Sequence, residues 1–279
     1  MRVAAFTVDV DRDVNLAVYG KNQALSKCHD GDREEIRFGS SMQGLPLMIE
    51  LLEEVGIKAT FFLEGDTLLH IARNMDVREL LDRHEVACHG VCHEDITGES
   101  TGVPLTDLEL DQMIGDGRDM LRKVFARDPV GFRAPYQHID QRALNLLERK
   151  GFLYDSSMTR PFNEEGGGLR PWKVSGDLLE MPLAQGKDER GKRMVSYLWP
   201  MHEGKRAPEE YVRMAAGMRS GLLVLATHSW HIAETYGRGV LSQSLVNSNL
   251  VNLRRVLEGA RAQGWEFLAL EDLARTWEG

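Results

Sequence analysis

Val3-Ala4-Ala5-Phe6-Thr7-Val8-Asp9-Val10-Asp11 is the stretch whose reading decides the fold class. Val3–Val10 reads as a strand that is apolar on both faces until its carboxyl end. Such near-continuous runs belong to parallel sheets covered by helices, whereas half-solvated antiparallel strands alternate cleanly. Asp9 and Asp11 close the run, and strand period 2 puts both carboxylates on one face. Carboxylates so placed repel, and one is pushed toward its neutral form unless a cation sits beside them. An exposed acidic strand end would look the same in sequence.

Outward from this strand the pattern repeats. Lys58–Leu63, Glu85–Cys88, Pro129–Arg133, a strand closing at Tyr154–Asp155, Leu222–Thr227 and Trp265–Leu270 read as further strands. Between them lie helical periods at Leu45–Val55, Asp76–His84, Asp107–Phe125, Gln141–Lys150 and Gln243–Gln263, with a helix at the C-terminus. Strands alternating with helices build parallel βαβ units, and about seven such units predict a barrel more than an open sheet. The 279 residues read as one α/β domain, 1–279, without an internal repeat. Segments 12–44 and 160–208 are irregular and are expected to be pocket-shaping loops. The first carries Lys27-Cys28-His29-Asp30-Gly31-Asp32; the second is rich in Gly and Pro and holds Trp172 and Trp199.

Composition sets the outer limits. Asp+Glu number 43 against 34 Lys+Arg, a net charge of −9, with 42% hydrophobic and 28% charged residues. This excludes a disordered or collagen-like chain, and it leaves no basic stripe for nucleic acid. Three cysteines make no disulfide framework, so a cytoplasmic location is expected. The N-terminal run turns acidic at Asp9, too soon for a signal peptide, and no stretch approaches a membrane span.

In a barrel of this kind, chemistry gathers at the carboxyl ends of the strands. After Asp9 and Asp11 the next such end is Cys88-His89-Gly90-Val91-Cys92-His93. Two histidines at i and i+4 face one point on a helical turn and suit a metal. The spacing excludes a haem attachment site, whereas a structural zinc site using both Cys and both His stays open. The following end, Gly131-Phe132-Arg133-Ala134-Pro135-Tyr136, offers a guanidinium for a substrate anion or a buried carboxylate. Tyr154-Asp155-Ser156-Ser157 offers an Asp that either orients a His or caps a turn. Leu225-Ala226-Thr227-His228-Ser229-Trp230-His231 places His228 at the rim, and His231, buried or facing solvent, is given no role.

This succession, D-x-D, H-x-x-x-H, R-x-P-Y, Y-D-S-S and T-H-S-W, resembles the polysaccharide deacetylase family, also called NodB-homology or carbohydrate esterase 4. The resemblance runs from Val3 to about Ala274 and includes Ile57–Leu63, His84–Gly90 and Gly151–Ser157. Two departures stand out. Val10 separates the two acids, which are adjacent in most members, and Gly90 replaces a common Ser or Thr. The first departure is similar to an intracellular branch of peptidoglycan-deacetylase-like and allantoinase-like proteins.

The resemblance implies a deformed (β/α)7 barrel and one divalent metal held by Asp11, His89 and His93. Zinc suits these ligands first, with cobalt, nickel or iron also fitting. It further implies Asp9 as base, Arg133 holding Asp9, and His228 as proton donor with Asp155 to orient it. The Tyr136 backbone N–H would bind the oxyanion, and Trp230 and Leu225 would seat an acetyl methyl. The implied reaction releases acetate from an N-acetylated sugar. Hydrolysis of a cyclic ureide is the alternative, and a non-catalytic binding relic is a third reading. The branch also implies self-association into a homo-oligomer.

Overall fold

The computed structural model describes residues 2–29, 34–162 and 168–277. At its centre runs β1 (Arg2–Val10), and the two faces of this strand explain its lack of a polar side. Ala4, Phe6, Val8 and Val10 pack outward with Leu45, Met48 and Leu52 of α1 (Gly39–Val55). Val3 and Ala5 pack inward with Phe62, Tyr154 and Val224. Both faces are therefore removed from water, as a doubly covered sheet requires.

Parallel neighbours flank β1: β2 (Thr60–Leu63), β3 (Glu85–Cys88), β4 (Gly131–Phe132) and β5 (Tyr154–Asp155) on one side. Beyond them lie β6 (Trp172–Ser175) and β7 (Leu178–Glu180). On the other side stand β10 (Gly221–His228), β8 (Leu183–Lys187) and β9 (Arg193–Val195). The order across the 12-stranded sheet is β9-β8-β10-β1-β2-β3-β4-β5-β7-β6, with Glu266–Phe267 pairing β1 and Thr159–Pro161 pairing β8. The parallel strands curl into the deformed α/β barrel expected from the sequence. In register, Asp9 lies beside His228 on β10 and Phe62 on β2.

Helix α2 (Asp107–Phe125) occupies its expected span because Thr106 and Glu109 form a capping box. Helix α3 (Gln141–Arg149) is capped by Asp140. Helix α1 starts at Gly39, well before the expected Leu45. The Asp13 carboxylate crosses over to accept the N–H groups of Ser40 and Ser41, at 3.0 and 2.8 Å. A cap supplied from another segment is invisible to local pattern. Within α1, Gly44 lies so close to the turn after β10 that a Cβ there would stand 1.9 Å from the Ser229 carbonyl oxygen.

Several expectations are corrected. Segment 160–208 supplies strands β6–β9 to the main sheet and is no mere loop. Segment 12–44 holds a short ribbon pairing Asn15–Leu16 with Leu25–Ser26, and its end is α1. Asp30, Gly31 and Asp32 of the first segment, and 163–167 of the second, lie outside the described residues. The helix expected at Asp76–His84 is reduced to Val77–Leu80, and helices at Gly65–Ala72 and α4 (Pro208–Gly217) were not foreseen.

Candidate active site

The carboxyl ends of β1, β3, β4 and β10 converge. Asp9 faces the barrel interior and is 2% exposed. Arg133, fully buried just past β4, donates from one terminal guanidinium nitrogen to Asp9 Oδ1 at 2.7 Å. The rest of that guanidinium is also bonded, to Thr7 Oγ1, the Ser156 carbonyl and Ser156 Oγ. The Tyr197 hydroxyl donates to Asp9 Oδ2 at 2.6 Å. Burial alone would raise the Asp9 carboxyl. Arg133, His89, His228 and the Tyr197 hydroxyl outweigh it and bring the pKa to about 2.

Asp11 follows one strand period on, fully buried. Its Oδ2 lies 3.4 Å from His93 Nε2 and 4.0 Å from His89 Nε2. One donor atom from each of Asp11, His89 and His93 falls within 4.8 Å of the other two. His89 Nδ1 is 2.8 Å from the Arg133 carbonyl, which can only accept, so that nitrogen carries the proton and Nε2 presents a lone pair. Burial holds both His89 and His93 near pKa 4, in the neutral form that binds metal. Asn15 donates to Asp11 Oδ2 at 2.5 Å, but Asp11 Oδ1 is buried without a partner among the described residues. Burial, with Asp9 and Glu64 adding to it, pushes this carboxyl well above the ordinary range. An orphaned carboxylate oxygen beside two neutral imidazoles fits a divalent cation.

The His89–His93 segment is not the helical turn the spacing suggested. Gly90 and His93 take left-handed φ values of +73° and +54°, and this loop brings the second imidazole back to Asp11. The two cysteines are no ligands here. Cys88 packs into the apolar layer with Ile114, Leu147 and Phe132, and the Cys92 thiol donates to Asp66 at 3.3 Å. The structural zinc site is thereby set aside.

Across from the histidine pair stands His228, with Nε2 2.9 Å from the Tyr197 hydroxyl and 3.8 Å from Asp11 Oδ2. Trp230 stacks on its ring at a 4.9 Å centroid distance. Tyr136 adopts φ +58° within the turn Pro135–Gln137 and sets its ring edge-on to His93 at 4.5 Å. Among the described residues the Tyr136 backbone N–H meets no acceptor. A non-glycine residue held in that conformation is strained and marks a site the surroundings over-determine.

Two assignments fail. Leu225 points away from the site: it packs outward with Phe6 and Val8, whereas Ala226 faces inward with Val224. His228 shares the parity of Ala226, so the residue directly before Ala226 cannot share its face. Asp155 does not orient His228. Its carboxylate accepts from Ser157 N–H at 3.0 Å and Ser157 Oγ at 2.7 Å, and Ser157 Oγ accepts from the Ala134 N–H. That chain fixes the loop after Arg133. Sequence reading does not find two groups: Tyr197, from the segment expected to be a loop, and His231, whose orientation the pattern leaves open and which is fully buried.

Residues 39–154 match the family model described as polysaccharide deacetylase. The peptidoglycan deacetylase-like protein FGM2 of Gibberella zeae is 34% identical over 155 residues, covering 54% of this chain and 43% of that protein. A peptidoglycan deacetylase of Helicobacter pylori is 24% identical over 116 residues, covering 41% of this chain and 37% of its own. The matches thus span less than half of either relative. A solved structure from Mycobacterium smegmatis, assigned to the polysaccharide deacetylases, superposes with a TM-score of 0.63 at 20% identity, covering 98% of this chain and 88% of that one. Over residues 39–154 the chain is thus similar to the polysaccharide deacetylases, and it shares its overall fold with the solved structure.

Proposed function

We propose that this chain is a metal-dependent hydrolase that removes an N-acetyl group from an amino-sugar-containing substrate and releases acetate. One juxtaposition supports this reading above all others: Asp9, saturated by Arg133 and Tyr197, stands beside the unsaturated Asp11–His89–His93 donor set. Those three residues would hold the cation, zinc first. When bound it polarises the acyl oxygen and makes water a stronger acid.

The chain's own groups divide the remaining work. Asp9, kept ionised and aimed by Arg133, takes the proton of the attacking water. The free N–H of Tyr136 is the backbone donor for the developing oxyanion. His228 gives its Nε2 proton to the departing amine, and Trp230 walls the space beside it. Tyr197 bridges base and acid.

The test is metal analysis of purified protein followed by acetate release from N-acetylglucosamine oligomers, beside a panel of cyclic ureides. About one metal per chain and chelator-sensitive acetate release are expected. Turnover of a cyclic ureide with no acetate release would replace this reading by the allantoinase-like one. A cytoplasmic location is part of the proposal, supported by free thiols at Cys28, Cys88 and Cys92 and open to cell fractionation. No described helix is long and apolar enough to cross a membrane. One domain over 1–279 and homo-oligomer formation complete the proposal; limited proteolysis and light scattering test them.

A further inference from the structure

His231 lies in the turn Trp230–Ile232, outside every group with a role so far, and its Nδ1 stands 3.1 Å from His228 Nδ1. The proton positions around this contact follow from the bonds at the other edge of His228. The Tyr197 hydroxyl has one proton and gives it to the Asp9 carboxylate, which is ion-paired with Arg133. Its oxygen therefore accepts from His228, whose Nε2 must carry a proton. In the neutral His228 ring Nδ1 is then a lone pair, so His231 Nδ1 donates to it.

The far side of His231 matters equally. Its Nε2 has no hydrogen-bond partner among the described residues and lies 3.6 Å from Glu203 Oε1. Glu203 is itself fixed, accepting from the backbone N–H groups of Tyr236 at 2.5 Å and Gly237 at 3.1 Å. When the pair takes up one further proton, His228 carries a proton on each nitrogen, His231 accepts at Nδ1, and the proton of His231 sits on Nε2, facing Glu203. An imidazole can take both roles without moving, whereas a carboxylate can only accept. Packing holds the ring for this: His231 lies against Trp230 at 3.7 Å and stacks with His202 at 5.5 Å.

We propose that His231, backed by Glu203, is a positioning residue for His228: it holds that ring at Nδ1 whichever of the two imidazoles carries the shared proton, and so keeps Nε2 aimed over Asp9 and Asp11. The role assigned to His228 rests on the deacetylase reading above; the shared proton does not.

The test uses the zinc-loaded full chain and two variants. His231→Phe keeps a packed ring and removes both nitrogens; His231→Asn returns an N–H near the position of Nδ1. With N-acetylglucosamine oligomers, His231→Phe is expected to lower kcat by roughly 10- to 100-fold with KM within about twofold. His231→Asn should recover to within about tenfold of the wild-type kcat. In 15N-histidine spectra the wild type should show one imidazole proton shared by the Nδ1 atoms of His228 and His231, absent from His231→Phe. Wild-type kcat in His231→Phe, a loss confined to KM, or no shared proton in the wild type would overturn the proposal. If the wild type releases no acetate, the deacetylase reading falls, and the spectrum still decides whether His231 holds His228.

Discussion

Asp9 and Asp11 leave the same strand on the same face, both sealed from water, and the protein treats them in opposite ways. Around Asp9 every lone pair that matters is occupied, by a guanidinium and a phenol, and the carboxyl falls to about 2. Around Asp11 one oxygen has no partner among the described residues, the neighbouring imidazoles are neutral, and the carboxyl rises well above its usual range. A buried charge is tolerated when paired and expensive when not. The contrast teaches that the fold has completed one site with its own side chains and left a donor atom of the other open.

That comparison breaks most visibly at Asp11. Asp11→Asn should lose bound metal and acetate release together, a fall of at least about 10⁴ in kcat/KM; metal content and turnover measured on one sample check it. Full activity retained after chelation would dissolve the contrast. Asp9→Asn is next: metal content should stay at wild-type level while kcat falls by about 10² to 10⁴. Loss of metal in that variant would mean that the two carboxylates form one site. The smallest effect is expected from Tyr197→Phe, which leaves Arg133 as the main partner of Asp9. One hydrogen bond of roughly 1 kcal/mol is removed, and kcat should fall about fivefold to tenfold with metal content unchanged. Equal losses in Tyr197→Phe and Asp9→Asn would make the phenol as central as the base.

Much of the frame was legible because hydrophobic period follows geometry directly. β3 and α2 stand where the pattern put them, the latter because its cap is local in sequence. The start of α1 was not, since Asp13 caps it from a distant turn. Of the site, Asp9, Asp11, His89, His93, Arg133 and His228 converge as expected, each announced by a polar residue closing an apolar strand. Leu225 lies on the opposite face from His228, as the parity of their shared strand requires. Tyr197 lies among short strands interrupted by Gly and Pro, whose pairing is non-local, and nothing in its neighbours marks it. His231 sits in a turn, where neither period 2 nor period 3.6 says which way a side chain points.

The close seat of Gly44 has a consequence for how the protein can vary. Any larger residue there would push on the carbonyl of Ser229, and with it on His228 and His231 to either side. The helix surface that touches the turn acts as a spacer, and its missing side chain sets how closely α1 and that turn approach. An inherited or engineered change from Gly to Ala at that point would disturb the candidate site from its outer wall, without altering any of the residues that line it.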